Sequence, residues 1–217
     1  MSPVMKRQRG QDADTIVFRI LKMLDNERLI QDTKDYIAEV FKNNVGGHDA
    51  AHSLRVYKNA LLIAEKEPSC NLAVVTLAAL LHDVDDHKLF DTENNANARA
   101  FMEGKNVPDK LIEEICEVIN AVSFSKNRGR QPETIEGMVV QDADRLDALG
   151  AIGIARTFSY GGEHGRSLED SIKHFYDKLL LIKGQLNTDT AKEIASKRHA
   201  FLKNFLEEYK AEMDGKA

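Results

Sequence analysis

The sequence predicts an all-α fold, arranged as a helical bundle. Apolar residues recur at three- and four-residue intervals along most of the 217 residues, which is typical of helices that bury one face. No segment shows the alternation of apolar and polar residues expected of a half-buried strand. The run from Asn71 to Leu81 is apolar nearly all round, so we expect it to form a helix at the centre of the bundle.

The other helices are predicted from the same periodicity. Pro108 favours a helix start, because the N–H that proline lacks is not needed in the first turn. Two segments, Ser167 to Asp170 and Thr190 to Glu193, resemble N-terminal capping boxes. Gly161-Gly162 and Gly129 indicate loops. The periodic segments are Thr15 to Leu24, Lys34 to Phe41, Leu54 to Ala64, Thr92 to Met102, Leu111 to Val122 and Met138 to Ile154.

Length and composition predict one domain. The chain is 42% hydrophobic and contains no repeat or linker, so a flexible leader over residues 1–12 and a single helical domain over residues 13–217 are expected. Cys70 and Cys116 have neither the pattern of a disulfide framework nor the spacing of a thiolate zinc site. Two cysteines without a disulfide pattern fit a protein of the reducing cytoplasm. The chain is expected to be a monomer or a homodimer.

Charge and hydropathy argue against two classes of partner. A net charge of -5 does not favour duplex nucleic acid, whose binding relies on a broad basic surface. No apolar run approaches membrane-spanning length, and Arg19 and Lys22 interrupt the only apolar stretch near the N-terminus. We therefore expect no membrane and no duplex nucleic acid among the partners, whereas small anionic molecules remain compatible.

The most informative residues are the neighbours His82 and Asp83, which directly follow the apolar run. An ionised carboxylate removed from water is costly unless it is paired or bound to a metal. The segment from His82 to His87 contains three aspartates and two histidines. At the end of a core helix, removing these side chains from water is therefore costly unless a cation compensates. We interpret the pair as ligands of a metal ion.

Further candidate ligands lie both before and after this pair in the sequence. His52 lies at the start of a predicted helix, and the predicted helix from Met138 to Ile154 carries Asp142, Asp144 and Asp147 together with Arg145. His52, His82, Asp83 and one downstream aspartate form a mixed nitrogen and oxygen set. Such a set suits Mn, Fe, Co, Ni or Zn, and four protein ligands on a six-coordinate ion leave two positions open.

These residues resemble the HD-domain metal-dependent phosphohydrolases, whose signature is H…HD…D. The similarity extends over roughly residues 45 to 210, through Val140 to Ala148, Ser171 to Leu180 and the last helix as far as Phe205. It is greatest to a bacterial branch of small, single-domain, all-helical proteins, some of which are nucleoside triphosphate pyrophosphohydrolases. The resemblance implies a hydrolase that acts on a nucleotide or another small phosphate ester or anhydride, with pyrophosphate as a candidate product.

The resemblance also implies which aspartate completes the metal site. Relatives place this ligand in an Ala-Asp-x-Leu context, here Ala143 to Leu146, which assigns the role to Asp144. Two-metal members insert further histidines between the dyad and the last aspartate. In this chain, His87 is the only histidine between Asp83 and Asp144. A single divalent metal is expected, Mn first, with Fe, Co, Ni, Zn or Mg as alternatives.

The expected chemistry is attack on phosphorus by a metal-activated water, which needs no protein nucleophile. Asp86, one turn beyond Asp83, is the first candidate for orienting this water or accepting its proton, with His87 or Asp147 as alternatives. The candidate substrate contacts are cations, for each of which a structural salt bridge or simple solvation is the competing interpretation. They are Arg55, Arg145, His174, Lys178 and Arg198.

Three other interpretations are open. His48 and His52 have the spacing of zincin proteases, but Asp49 stands near the place where that motif needs a glutamate. A nucleotide-binding sensor without activity would be expected to have lost ligands, and none is lost. An HD-type hydratase is the third. The basic loop Lys126 to Arg130 is interpreted as a solvated turn, with a lid over an anionic ligand as its alternative.

Overall fold

In the computed structural model, residues 26–44, 49–123, 127 and 130–216 are described. All of their regular secondary structure is helical, which confirms the predicted all-α fold. The leader over residues 1–12, the predicted helix at Thr15 to Leu24, His48 and most of the basic loop lie outside these ranges. Within them, no helix is long and apolar enough to cross a membrane.

The helices are numbered in chain order. Residues 175–188 are irregular and contain a π-helical turn at Phe175–Leu179 and a 3₁₀ turn at Lys183–Gln185. The α-helices are α1 over residues 26–40, α2 Ala50–Ala64, α3 Leu72–Leu81, α4 Ala96–Gly104, α5 Asp109–Val122, α6 Ile135–Asp147, α7 Gly150–Glu163, α8 Leu168–His174, α9 Leu180–Ile182 and α10 Asp189–Met213.

Helix α3 is the centre of the core, as its sequence predicts. The residues from Val74 to Leu81 are all buried, and α3 packs against α2, α5 and α6. Asn71 caps the N-terminus of the helix, where its side chain accepts a hydrogen bond from the N–H of Ala73. His82 is the C-cap. The packing therefore brings the His82-Asp83 pair to the point where α2 and α6 also meet α3.

The predicted continuous helix from Met138 to Ile154 is wrong, because the chain breaks between α6 and α7. Gly150 has φ +71°, which favours glycine, and a side chain there would lie 3.2 Å from Cβ and Cγ of Arg198 on α10. Helical periodicity continues through the break, so the apolar pattern hides it. The break turns α7 back over the site that α6 carries.

Of the two predicted capping boxes, one is confirmed and one is wrong. Ser167 caps α8 by accepting a hydrogen bond from the N–H of Asp170. At α10, however, the cap is Thr188 and not Thr190, because the Thr188 hydroxyl is held by a hydrogen bond to the buried carboxylate of Asp142. The loop predicted at Gly161-Gly162 is also wrong: α7 continues to Glu163, and Ser171 packs closely against Gly161.

Candidate metal centre

His52 and His82 are both held through the nitrogen that faces away from the other ring. Asp49 caps α2 and accepts a hydrogen bond from the backbone N–H of His52 at 2.6 Å, which sets that residue in the first turn. Nδ1 of His52 lies 2.7 Å from Oδ2 of Asp147, and Nδ1 of His82 lies 2.9 Å from the carbonyl oxygen of Ala79. Both acceptors fix a proton on Nδ1, so the neutral form of each ring, which is the form that binds a metal, presents the lone pair of Nε2.

The two Nε2 atoms converge with two carboxylates. They lie 3.3 Å from each other, and Oδ2 of Asp83 lies 3.4 Å from Nε2 of His52 and 3.3 Å from Nε2 of His82. Oδ1 of Asp144 lies 3.3 Å from Nε2 of His52 and 4.0 Å from Nε2 of His82. All four residues predicted as metal ligands therefore converge around the two Nε2 atoms, although they come from α2, the turn after α3 and α6.

This donor set fits a divalent cation. Burial would lower the pKa of His82, but the charges of Asp83 and Asp144 raise it to about 9. Burial would raise the pKa of Asp144, but a hydrogen bond from His52 and the charges of His52 and His82 lower it. The site thus favours added positive charge between two imidazole nitrogens and two carboxylates, and a divalent ion supplies that charge.

Asp147 lies behind His52, away from the converging atoms. It is 2% exposed, and Oδ2 accepts hydrogen bonds from His52, from Nη2 of Arg55 at 3.0 Å and from Nη1 of Arg156 at 2.6 Å. Oδ1 accepts a further bond from Nε of Arg55 at 2.7 Å. Burial would raise the pKa of Asp147, but these partners hold it well below its ordinary value. The carboxylate is therefore a fixed negative charge that orients His52.

Asp142, on the same helix, is fully buried but has no part in this cluster. Its carboxylate accepts hydrogen bonds from the N–H and the side-chain amide of Asn187 and from the N–H and hydroxyl of Thr188. Burial raises its pKa against the effect of these bonds. The three aspartates of α6 thus divide into an anchor for the start of α10, a residue at the converging point and a partner of His52.

A cavity of about 230 Å³, here called the central cavity, opens beside the converging side chains. Four of the other predicted site residues line it: Asp86, His87, Arg145 and Lys178. Oδ1 of Asp86 accepts a hydrogen bond from the N–H of Lys88 at 2.8 Å, and the His87 side chain is 56% exposed. Arg145 donates a hydrogen bond to the carbonyl of Gln185.

The remaining predicted substrate contacts lie elsewhere. Arg55 and Arg198 line a different cavity, on the side of Asp147 that faces α10. Arg198 donates to the carbonyl of Leu146 at 2.7 Å and to Oδ1 of Asn59 at 2.9 Å, so it ties the end of α6 to α2. His174 lines a third cavity, which adjoins the central one.

Sequence reasoning missed Arg156, which contacts Asp147 and lines both the central and the third cavity. A signal was present, because Arg156 follows the mostly apolar stretch from Ala148 to Ala155. Like Arg145, it is a cation in a mostly apolar helix, where burial without a partner is costly. Asn95 and Asn120 were missed as well. They line the central cavity, and nothing in their sequence surroundings distinguishes them from ordinary turn and surface asparagines.

The chain is similar to one family model and to several solved structures. Residues 49–149 match the family model of the HD domain. The Lin1889 protein of Listeria innocua is 40% identical, with a TM-score of 0.72 over 87% of this chain and 97% of that one. Bacillus subtilis YpgQ, solved in complex with ADP, is 33% identical, with a TM-score of 0.76 over 87% and 96%. An HD-superfamily hydrolase of Bacillus thuringiensis is 36% identical, with a TM-score of 0.72 over 87% and 98%.

Proposed function

Because the chain belongs to the HD-domain family, we propose that it is a metal-dependent phosphohydrolase that acts on a nucleotide. The observation that carries the proposal is the convergence of His52, His82, Asp83 and Asp144 at one wall of an open cavity. The ADP complex of the relative YpgQ supports a nucleotide as the ligand class. A substrate that releases pyrophosphate, such as a nucleoside triphosphate, is the more specific candidate.

The four converging residues are the proposed ligands of one divalent ion, with Mn as the first candidate. When bound, such an ion lowers the pKa of a coordinated water and polarises a phosphoryl oxygen. The protein then needs to orient its ligands, to accept a proton and to neutralise the charge of the phosphate chain. The following assignments give these tasks to residues of this chain.

Asp147 is proposed as a positioning residue and not as a base. Its carboxylate already accepts hydrogen bonds from His52, Arg55 and Arg156, and its pKa is held low, so it is a poor proton acceptor. The contact with Nδ1 of His52 keeps Nε2 directed at Asp83 and Asp144, where it would hold the ion, as carboxylates behind metal-bound histidines commonly do. Arg55 is proposed to act with it.

Asp86 is proposed as the group that accepts the proton of the attacking water. It lines the central cavity three residues after Asp83, and its Oδ1 is oriented by the N–H of Lys88. His87 is the alternative, but more than half of its side chain is exposed to solvent, where a proton acceptor is less precisely held. Arg145 and Lys178, which also line the cavity, are the proposed contacts to substrate oxygens.

A panel of nucleoside mono-, di- and triphosphates tests the proposal, with the purified protein supplied with Mn, Mg, Co or Ni and with phosphate and pyrophosphate measured separately. We expect metal-dependent turnover of at least one nucleotide, and its loss in Asp144→Ala. Turnover that persists in the metal-free protein would contradict the proposal. No turnover in any arm, with ADP binding retained, would favour a nucleotide-binding sensor.

A further inference from the structure

Two walls of the central cavity differ in charge. One wall, the amide wall, is formed by Asn95 at the start of α4 and Asn120 on α5, whose side chains are joined by a 3.2 Å hydrogen bond from Nδ2 of Asn95 to Oδ1 of Asn120. Apolar residues of α5, Ile119 and Val122, line the cavity beside them. These four side chains are uncharged and offer amide donors and acceptors together with apolar surface, while the carboxylate of Asp85, which also lines the cavity, accepts hydrogen bonds from N–H groups at the start of α4.

The side-chain amide of Asn95 is held in place by a residue whose backbone is strained. Asn95 is 8% exposed and has φ +56°, a left-handed conformation that asparagine tolerates but that still carries strain. It occupies the N-cap of α4, yet its side chain does not cap the helix. The N–H groups of Asn97 and Ala98 are instead bonded by the carboxylate of Asp85. The Asn95 amide is therefore directed to Asn120.

Away from the amide wall, the central cavity adjoins the cavity of about 350 Å³ that His174 lines, here called the cationic cavity. The two cavities share Lys88, Arg156 and Lys178, whereas neither Asn95 nor Asn120 reaches the cationic cavity. No acidic residue of the described chain lines it. The shared cations therefore lie between the converging metal ligands and a cavity whose described lining residues include no carboxylate.

Further groups in the cationic cavity suit a phosphate chain. The Arg166 guanidinium lies over the ring of Tyr160, 4.8 Å from its centroid. Burial, together with the charges of Lys178 and Arg166, lowers the pKa of His174, as expected in a field of positive charge. Lys178 belongs to the π-helical turn Phe175–Leu179, an irregularity that is frequent at functional sites.

From this asymmetry we propose that a nucleotide lies in one direction across the site, with its base against the amide wall and its phosphate chain extending past the metal ligands into the cationic cavity. The proposal rests on the proposed function and deepens it. Amide pairs hydrogen-bond to the edges of nucleobases, and cations bind phosphate oxygens. Asn95 and Asn120 are then the groups that contact the base, and Lys178 and Arg166 are the groups that bind phosphates beyond the ion.

Calorimetric titration with ADP and with inorganic pyrophosphate tests this orientation, because the two probes share a two-phosphate chain and differ by the nucleoside. The Mn-supplied protein is compared with Lys178→Gln and Asn120→Ala. We expect Lys178→Gln to weaken both probes about tenfold, because it removes a charged contact to the chain. We expect Asn120→Ala to weaken ADP several-fold and to change pyrophosphate less than about twofold.

Two further variants make the result specific. Lys173→Gln removes a positive charge from the same helical segment but outside the cationic cavity, and its affinities should stay at the wild-type value. If Lys178→Gln lowers the melting temperature, Arg166→Gln is used in its place to test phosphate binding, because Arg166 is exposed. An equal loss of both probes in Asn120→Ala, or no loss of pyrophosphate in Lys178→Gln and Arg166→Gln, would overturn the orientation.

The readout is binding, so it separates this inference from the proposed function. If the variants give the expected binding pattern but the wild-type protein hydrolyses no nucleotide, the phosphohydrolase proposal fails and the orientation stands. If turnover is found but Asn120→Ala weakens both probes equally, or Lys178→Gln and Arg166→Gln leave pyrophosphate binding unchanged, the orientation fails and the activity stands.

Discussion

Nδ1 of His52 and Oδ2 of Asp147 are joined by a buried 2.7 Å contact between helices α2 and α6. The same carboxylate is held by Arg55 of α2 and Arg156 of α7, so the orientation of one candidate ligand depends on residues of three helices. A substitution of Asp147 should therefore weaken metal binding by changing the orientation of His52, although it removes no ligand.

We expect Asp147→Asn to weaken Mn binding by about 10- to 100-fold, the effect found when the hydrogen-bond partner of a metal-bound histidine is replaced. The amide cannot provide the negative charge that holds the Nδ1 proton of His52. Calorimetric titration of the metal-free variant with Mn measures the change. An unchanged dissociation constant would show that Asp147 does not orient His52.

Asp142 provides the matched comparison, because it is an equally buried aspartate on the same helix. Asp142→Ala leaves the donors of Asn187 and Thr188 without an acceptor and should lower the free energy of unfolding by roughly 3 kcal/mol. Urea unfolding measures the loss. Because Asp142 does not contact the metal ligands, Mn affinity of the folded variant should be unchanged, and a weakened affinity would contradict the division of roles.

The metal-free protein should lose stability as the pH rises from 6.5 to about 9. The folded-state pKa of His82 is raised to about 9 from 6.5, so the protonated ring stabilises the fold fully below pH 6.5, and this contribution is lost as pH rises through 9. Melting temperatures across this interval test the sign. Added Mn should stabilise more at the upper end, since it binds the deprotonated ring. A melting temperature that rises with pH in the metal-free protein would contradict this assignment.

Gly150→Ala should lower the free energy of unfolding by about 1–3 kcal/mol, because φ is +71° and the new methyl group would lie 3.2 Å from the Arg198 side chain. Gly162→Ala, in the same helix with no neighbouring atom within 4 Å, should be neutral or stabilising. Chemical unfolding of both variants measures the difference. Equal stability of the two would mean that the break between α6 and α7 does not require glycine.

The sequence predicts the parts of this molecule that depend on local pattern. The apolar run before His82 specifies a buried helix, and the cost of burying Asp83 unpaired indicates a cation beside it. Family resemblance, not spacing, selects Asp144 from three aspartates on α6. The structure then separates these three by their partners, which no local pattern contains.

The parts that sequence could not predict depend on where the chain turns. Helical periodicity continues from α6 into α7, so the sequence does not show the turn at Gly150 after which Arg156 lies beside Asp147. Thr188 and not Thr190 caps α10, because the tertiary bond to Asp142 decides between two similar residues. Arg55 and Arg198 are placed on the far side of Asp147 by helix packing, which has no signature in either segment.

The central claim is that His52, His82, Asp83 and Asp144 hold one divalent ion on which hydrolysis depends. The most direct measurement is the metal content and nucleotide turnover of wild-type protein and Asp144→Ala, supplied with Mn and freed of unbound metal, with helicity checked by circular dichroism. The wild-type protein should retain about one ion per chain and turn over substrate, whereas the variant should lose both and keep its helicity. Full turnover by a metal-free Asp144→Ala protein would contradict the claim.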